Sequence, residues 1–328
     1  MDERLHDFRN FLYLAWDQLR LPEPTPIQYD LAAYLQNGPR RLCIQAFRGV
    51  GKSWITSAFV CHQLLLDPAK NILVVSASKQ RADDFSTFTL RLIEEMEILH
   101  HLKPRDNQRN SKIAFDVGPA PASHAPSVTS RGITSQITGQ RADLIVADDI
   151  ESANNSATQT MRDKLSESIK EFDAVLKPDG RIAYLGTPQT EFSIYADLPE
   201  RGYEVKIWPA LYPEEKVKVN YGDRLADKII EEMDADEELV GKPTDPKRFD
   251  EIDLMERQAS YGRAGFSLQF MLDTSLADQD RYPLKLSDLL IMNCNHDTAP
   301  ERVVWSASPE LVDKELPNVG FNGDRYYR

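Results

Sequence analysis

The chain has 328 residues, 41% of them hydrophobic and 28% charged. This composition suits one large domain or two smaller ones and excludes disorder over most of the length. Its net charge of −13 argues against a protein whose main task is static DNA binding, so nucleic-acid contact must be local, transient or carried by another part of an assembly.

No apolar run approaches the roughly 20 residues of a membrane helix. The start MDERLHDFRN is polar and acidic, with no signal-peptide stretch behind it, so a cytoplasmic protein is expected. Residues 3–20 place Leu5, Phe8, Leu12 and Leu19 at amphipathic-helix spacing. A Pro-rich break covers 21–26, and a second helix is expected over 28–35. The apolar run RLCIQAF at 41–47 reads as a buried strand entering a tight loop at Arg48-Gly49. A helix over 53–66, a strand at 71–77 (NILVVSA) and a helix carrying Phe85, Phe88, Leu92, Met96 and Leu99 follow. Residues 104–131 read as irregular, with a possible strand at 112–117.

Leu144–Ala147 reads as a third buried strand, and Met161–Leu176 as a helix left through a Pro178-Asp179-Gly180 turn. Arg181–Leu185 and Tyr203–Trp208 are the fourth and fifth strands. Alternation of this kind predicts a mostly parallel sheet with helices on both faces. Beyond about 208, charged helices at 224–240 and 250–272 and scattered prolines replace it. A boundary is therefore expected near 205, with a core over 1–205 and a smaller unit over 206–328. The cysteines Cys43, Cys61 and Cys294 are far apart and form no ligand cluster with the six histidines, so they are expected as free thiols.

Three pieces of the core carry chemistry. Ala46-Phe47-Arg48-Gly49-Val50-Gly51-Lys52-Ser53 lies between a strand and a helix and follows the phosphate-loop pattern GxxxxGKS/T, with Ala46 in place of the first glycine. Small residues such as Gly49 and Gly51 let backbone N–H groups wrap phosphate, Lys52 would face the β- and γ-phosphates, and Ser53 would hold magnesium. Leu144 to Glu151 is an apolar strand ending in acids. Asp148 fits a metal role there, while Asp149 or Glu151 would polarise the attacking water. Thr187 in Gly186-Thr187-Pro188-Gln189 ends the next strand, which in such sheets lies beside the phosphate-loop strand, and could sense the γ-phosphate. Gln28 in Thr25-Pro26-Ile27-Gln28 offers an amide to an adenine edge. Lys79-Gln80-Arg81 reads equally as a nucleic-acid contact or a solvated helix start.

These segments in this order resemble the large terminase subunit of tailed double-stranded DNA phages, closest to its short-tailed podovirus branch. AFRGVGKSW, TGQRADLIVADDIE, LGTPQ and PTPIQ carry the resemblance, with WPALYPEE, FSLQFMLDTSLAD and RYPLKLSDLL past the core. The resemblance implies an α/β, RecA-like (ASCE) P-loop NTPase core using ATP and Mg2+, with 206–328 as a helical lid or linker. It further implies a homo-oligomeric ring, expected to be a pentamer, on the portal of a procapsid in the host cytoplasm. The ring would pump double-stranded DNA with a small terminase subunit as partner, and isolated chains are expected as monomers. The nuclease that most members carry is not visible, so the chain is expected to be an ATPase-domain fragment without DNA cleavage.

Arginines complete the expected site. Arg48, four residues before Lys52, would reach the γ-phosphoryl oxygens in cis. Arg141, in the turn feeding the acidic strand, lies at the far end of that strand from its own site and would serve a neighbour in trans. Thr138 replaces the arginine that the resemblance places before Gly139, which makes Arg131 a rival. The runner-up reading is a superfamily-two helicase-like translocase, which would need a second RecA-like domain beyond 206.

Overall fold

The computed structural model describes residues 2–276 apart from 138 and 191, and short strands at 305–306, 320–322 and 325–327. Seven strands form the sheet of the first unit, Met1–Ala277. They are β1 (Arg41–Ala46), β2 (Ile72–Ser76), β3 (Ala114–Phe115), β4 (Val128–Gly132), β5 (Ala142–Asp148), β6 (Leu176–Gly186) and β7 (Glu204–Trp208). Their order is β3-β4-β2-β5-β6-β1-β7, and neighbours are parallel except β3 against β4. The central strands are buried along nearly their whole length, which is why they read as continuous apolar runs rather than alternating ones.

Among the described residues, ten α-helices accompany the sheet: α1 (Phe8–Gln18), α2 (Pro26–Asn37), α3 (Lys52–Leu66), α4 (Lys79–Glu95), α5 (Ala153–Ser156), α6 (Gln159–Val175), α7 (Ile194–Asp197), α8 (Glu215–Tyr221), α9 (Asp227–Ala235) and α10 (Glu251–Phe266). This is the expected RecA-like α/β core, with β6 between the phosphate-loop strand β1 and the acidic strand β5. The C-terminal ends of β1, β5 and β6 therefore meet along one edge, where α/β sheets place their ligands.

Four local expectations need correction. The helix over 3–20 is interrupted: Glu3–His6 is a 3-10 turn, and Asp7 accepts from the Arg9 N–H to start α1 afresh. The segment Pro178-Asp179-Gly180 belongs to β6, which starts at Leu176; a register irregularity and a positive φ of 63° at Asp179 absorb it. Strand β4 starts inside the stretch read as irregular. Finally, the chain divides at Ala277, not near 205, and β7 spans the expected boundary as an edge strand of the same sheet.

The change of texture past 208 is real at a finer level. Described residues 209–276 hold α8–α10 and turns and add no strand to the sheet, so no second RecA-like domain is built there. In the second unit, Asp278–Arg328, strands Trp305–Ser306, Gly320–Asn322 and Arg325–Tyr327 form an antiparallel sheet with the last in the middle. RYPLKLSDLL and Cys294 lie outside the described residues. Among the described residues, no helix is long and apolar enough to cross a membrane.

Candidate nucleotide site

The loop after β1 gets its shape from two glycines. Phe47 continues the β7 pairing by donating its N–H to the Trp208 carbonyl at 3.1 Å. Gly49 (φ 93°) and Gly51 (φ 97°) then turn the chain through left-handed backbone that costs other residues about 1 kcal/mol or more. A side chain at Gly49 would also lie 2.7 Å from the Phe249 ring. Helix α3 starts at Lys52 with Gly51 as N-cap and no side chain capping its first turn. A helix start without a side-chain cap is a standing site for an anion.

Three strand ends converge on this loop. The buried Lys52 ammonium donates to the Ala46 carbonyl at 2.6 Å and to Thr187 Oγ1 at 3.1 Å, so the end of β6 touches the phosphate-loop lysine directly. Burial lowers the Lys52 pKa, while the charges of Asp149 and Asp148 oppose that fall. Ser53 Oγ donates to Asp148 Oδ2 at 2.9 Å. Asp148 Oδ1 is buried and has no hydrogen-bond partner among the described residues. Burial, and then the charge of Asp149, push the Asp148 carboxyl up to about 7, against the Ser53 hydrogen bond. A serine hydroxyl beside a carboxylate with an orphaned buried oxygen is a hard, all-oxygen donor pair of the kind magnesium takes. No cluster of three or more His, Cys, Asp or Glu side chains that could hold a metal occurs among the described residues. The fit is therefore to an ion completed by water and phosphate.

A cleft of about 690 Å³ opens above these groups. Gln28, Arg48, Gly49, Gly51, Lys52 and Ser53 line it together with Asp149, Glu151, Thr187 and Gln189. Asp149 is partly exposed and takes φ 46°, an unusual conformation for a non-glycine, with its N–H donated to the Leu185 carbonyl at 2.8 Å.

Residues 43–176 match the family model described as "Terminase large subunit, T4likevirus-type, N-terminal". The chain is also 50% identical over 324 residues to the terminase large subunit of Enterobacteria phage T3, covering 97% of this chain and 55% of that protein. The chain belongs to the phage large terminase family. It spans about half the length of the curated relative it matches. Among solved structures, the large terminase ATPase domain of Thermus phage P74-26 is 14% identical, with a TM-score of 0.43, 79% of this chain and 96% of that chain covered. The large terminase of bacteriophage HK97 is 11% identical, with a TM-score of 0.43 and coverages of 72% and 52%.

Within this terminase chain, two expected site residues are held by the protein itself. The buried Glu151 carboxylate accepts from the Gln189 N–H (2.8 Å), Ser193 Oγ (2.7 Å) and the Ile194 N–H (2.9 Å). Its pKa is raised by burial despite those bonds. Glu151 thus ties the end of β5 to the loop after β6, and the open carboxylate beside Ser53 and Asp148 is Asp149. Gln28 accepts from the Thr25 N–H as part of a capping box and donates to the Val50 carbonyl at 2.8 Å. Its amide therefore braces the phosphate loop.

The arginines line different cavities. Arg48 lines the cleft, with its guanidinium 3.2 Å from Gln269 Oε1. Arg141 is exposed at the N-terminal end of β5, donating to the Gln140 carbonyl at 2.8 Å, and faces a separate cavity of about 510 Å³. Arg131, its rival, lines that same cavity, while Thr138 lies outside the described residues.

Sequence reasoning missed the clamp formed by residues 245–269. Gln269 accepts the Arg48 N–H on its backbone carbonyl at 3.0 Å. Arg248 donates to the Gly49 carbonyl at 3.0 Å, and Asp245 Oδ2 accepts from Thr25 Oγ1 at 3.0 Å. These contacts join positions some 200 residues apart, and no local pattern announces them; only the conspicuous FSLQF segment marked the region.

Proposed function

We propose that this chain is the ATP-hydrolysing motor part of a DNA-packaging terminase, working with magnesium at the cleft over β1, β5 and β6. The observation that carries the reading is the convergence of two pairs on one loop: Lys52 with Thr187, and Ser53 with the half-partnered Asp148. The family relationship supports double-stranded DNA, the portal of a procapsid and the small subunit as partners, in a ring of such chains.

In this reading Lys52 neutralises the β- and γ-phosphate oxygens, and the uncapped start of α3 cradles them. Ser53 and Asp148 would hold magnesium, which when bound supplies charge neutralisation for the phosphates. Asp149 orients the water that attacks the γ-phosphorus as the bond to the ADP oxygen breaks, and accepts the water's proton. Thr187 senses the γ-phosphate through Lys52 and passes its state to β6. Arg48 adds charge in cis, and Arg141 in trans. An ATPase assay with and without magnesium, duplex DNA and procapsids tests this. The expected result is magnesium-dependent turnover stimulated by the packaging partners; nucleotide binding without turnover under every condition would point to a nucleotide-gated scaffold instead.

A further inference from the structure

We propose that Arg81, on the first turn of α4, is a second cis arginine that contacts the γ-phosphoryl oxygens and ties α4 to the presence of that phosphate. This inference rests on the ATPase reading above and adds a residue to it.

The start of α4 is placed firmly. Ser78 caps the helix by accepting the Arg81 N–H at 3.3 Å. Gly132 on β4 has no side chain to hold α4 away: a Cβ there would lie 2.7 Å from the Lys79 nitrogen. The preceding strand β2 ends at Ser76, which is the register partner of Asp148 on β5. The first turn of α4 therefore begins just beyond the metal-site aspartate.

From that turn the Arg81 side chain enters the nucleotide cleft, which it lines together with Lys52, Ser53 and Asp149. It also borders an adjoining cavity of about 360 Å³ that Asp148 lines. Its positive charge is felt at the Asp148 carboxylate. Among the described residues its guanidinium makes no hydrogen bond or ion pair, whereas its neighbour Lys79 is committed to Asp83 at 2.7 Å. Arg48 lines the same cleft but is engaged by Gln269. The two arginines are thus not redundant. Charge on a transferring phosphoryl group spreads over three oxygens, and a guanidinium fork can bond two of them at once. Lys52, Arg48 and Arg248 also line the cleft, but each is held by a protein acceptor, whereas the Arg81 guanidinium is left for a ligand among the described residues.

The test is a titration of the full chain with magnesium and either ADP or a non-hydrolysable ATP analogue, alongside turnover. Arg81→Ala should lower the preference for the ATP analogue over ADP by about 10- to 100-fold, leave ADP affinity within about twofold, and reduce kcat by about 100-fold or more. Arg81→Lys should recover part of the loss, since charge is kept and the fork is not. Equal losses for both nucleotides, or unchanged nucleotide binding with weakened duplex DNA binding, would overturn the proposal. Lys52→Ala in the same titration separates the two readings. If wild-type protein binds neither nucleotide, the ATPase reading falls and takes this one with it; if only Lys52→Ala is impaired, Arg81 alone is misassigned.

Discussion

Asp149 and Glu151 are two carboxylates two positions apart in opposite surroundings. Glu151 has both oxygens occupied by three donors, and Asp149 sits partly exposed at the cleft. Glu151→Gln should therefore act on stability, because an amide nitrogen must face at least one donor where an oxygen accepted before. A loss of about 1–3 kcal/mol in chemical denaturation is expected, with turnover reduced far less than in Asp149→Asn. Asp149→Asn should lose about 100- to 10,000-fold in kcat while its stability and ATP affinity stay close to wild type. The reverse pattern would exchange the two roles. Sequence alone left both acids open as the water-activating group, since the groups that occupy Glu151 come from residues 189–194, about forty positions on.

The phosphate loop shows what an element inherits from distant chain. Its glycines were legible because left-handed backbone selects them, but the reason Gly49 must lack a side chain is the Phe249 ring beside it. Gly49→Ala should lower ATP affinity by about tenfold or more, from strained backbone and a displaced ring together; an unchanged Kd would show that the loop and the Phe249 ring yield without cost. Helix α1 depends on distant chain in the same way. His62, buried on α3, contacts the Phe8 and Phe11 rings and bonds the Leu5 carbonyl at 2.8 Å. Burial depresses its pKa below 6.5. Below that pH the unfolded chain takes up a proton that the folded one resists, so stability is full above about pH 6.5 and falls on acidification. Between pH 7.5 and 5.5 the wild type should lose up to about 1 kcal/mol more than His62→Gln. Parallel losses in the two proteins would exclude His62.

Strands β1, β2 and β5 were legible because burial on both faces makes them short apolar runs, and each ends at a loop or acid the site uses. Strand β4 was not: Val-Thr-Ser-Arg-Gly has one strongly apolar residue, and its place in the sheet comes from pairing with β2 and from the Ser130 hydroxyl bonding the Lys112 carbonyl at 3.1 Å.

For the whole molecule, the four arginines line two different cavities. Arg48 and Arg81 belong to the chain's own cleft, and Arg141 and Arg131 to a cavity elsewhere on the fold. If chains act in a ring, mixing Arg141→Ala with Lys52→Ala should restore part of the activity that each lacks alone, since an intact cleft can then meet an intact neighbouring arginine. A confirmed mixed ring that stays inactive, while Arg131→Ala complements, would move the trans role to Arg131.

The central claim is that the loop around Lys52 binds and hydrolyses ATP with magnesium. Steady-state phosphate release by the wild type and by Lys52→Ala, across a magnesium titration, addresses it most directly. The wild type should turn over only with magnesium present, and the folded Lys52→Ala chain should show no turnover above background. Turnover by Lys52→Ala within severalfold of wild type, in a chain that melts at the same temperature, would contradict the account.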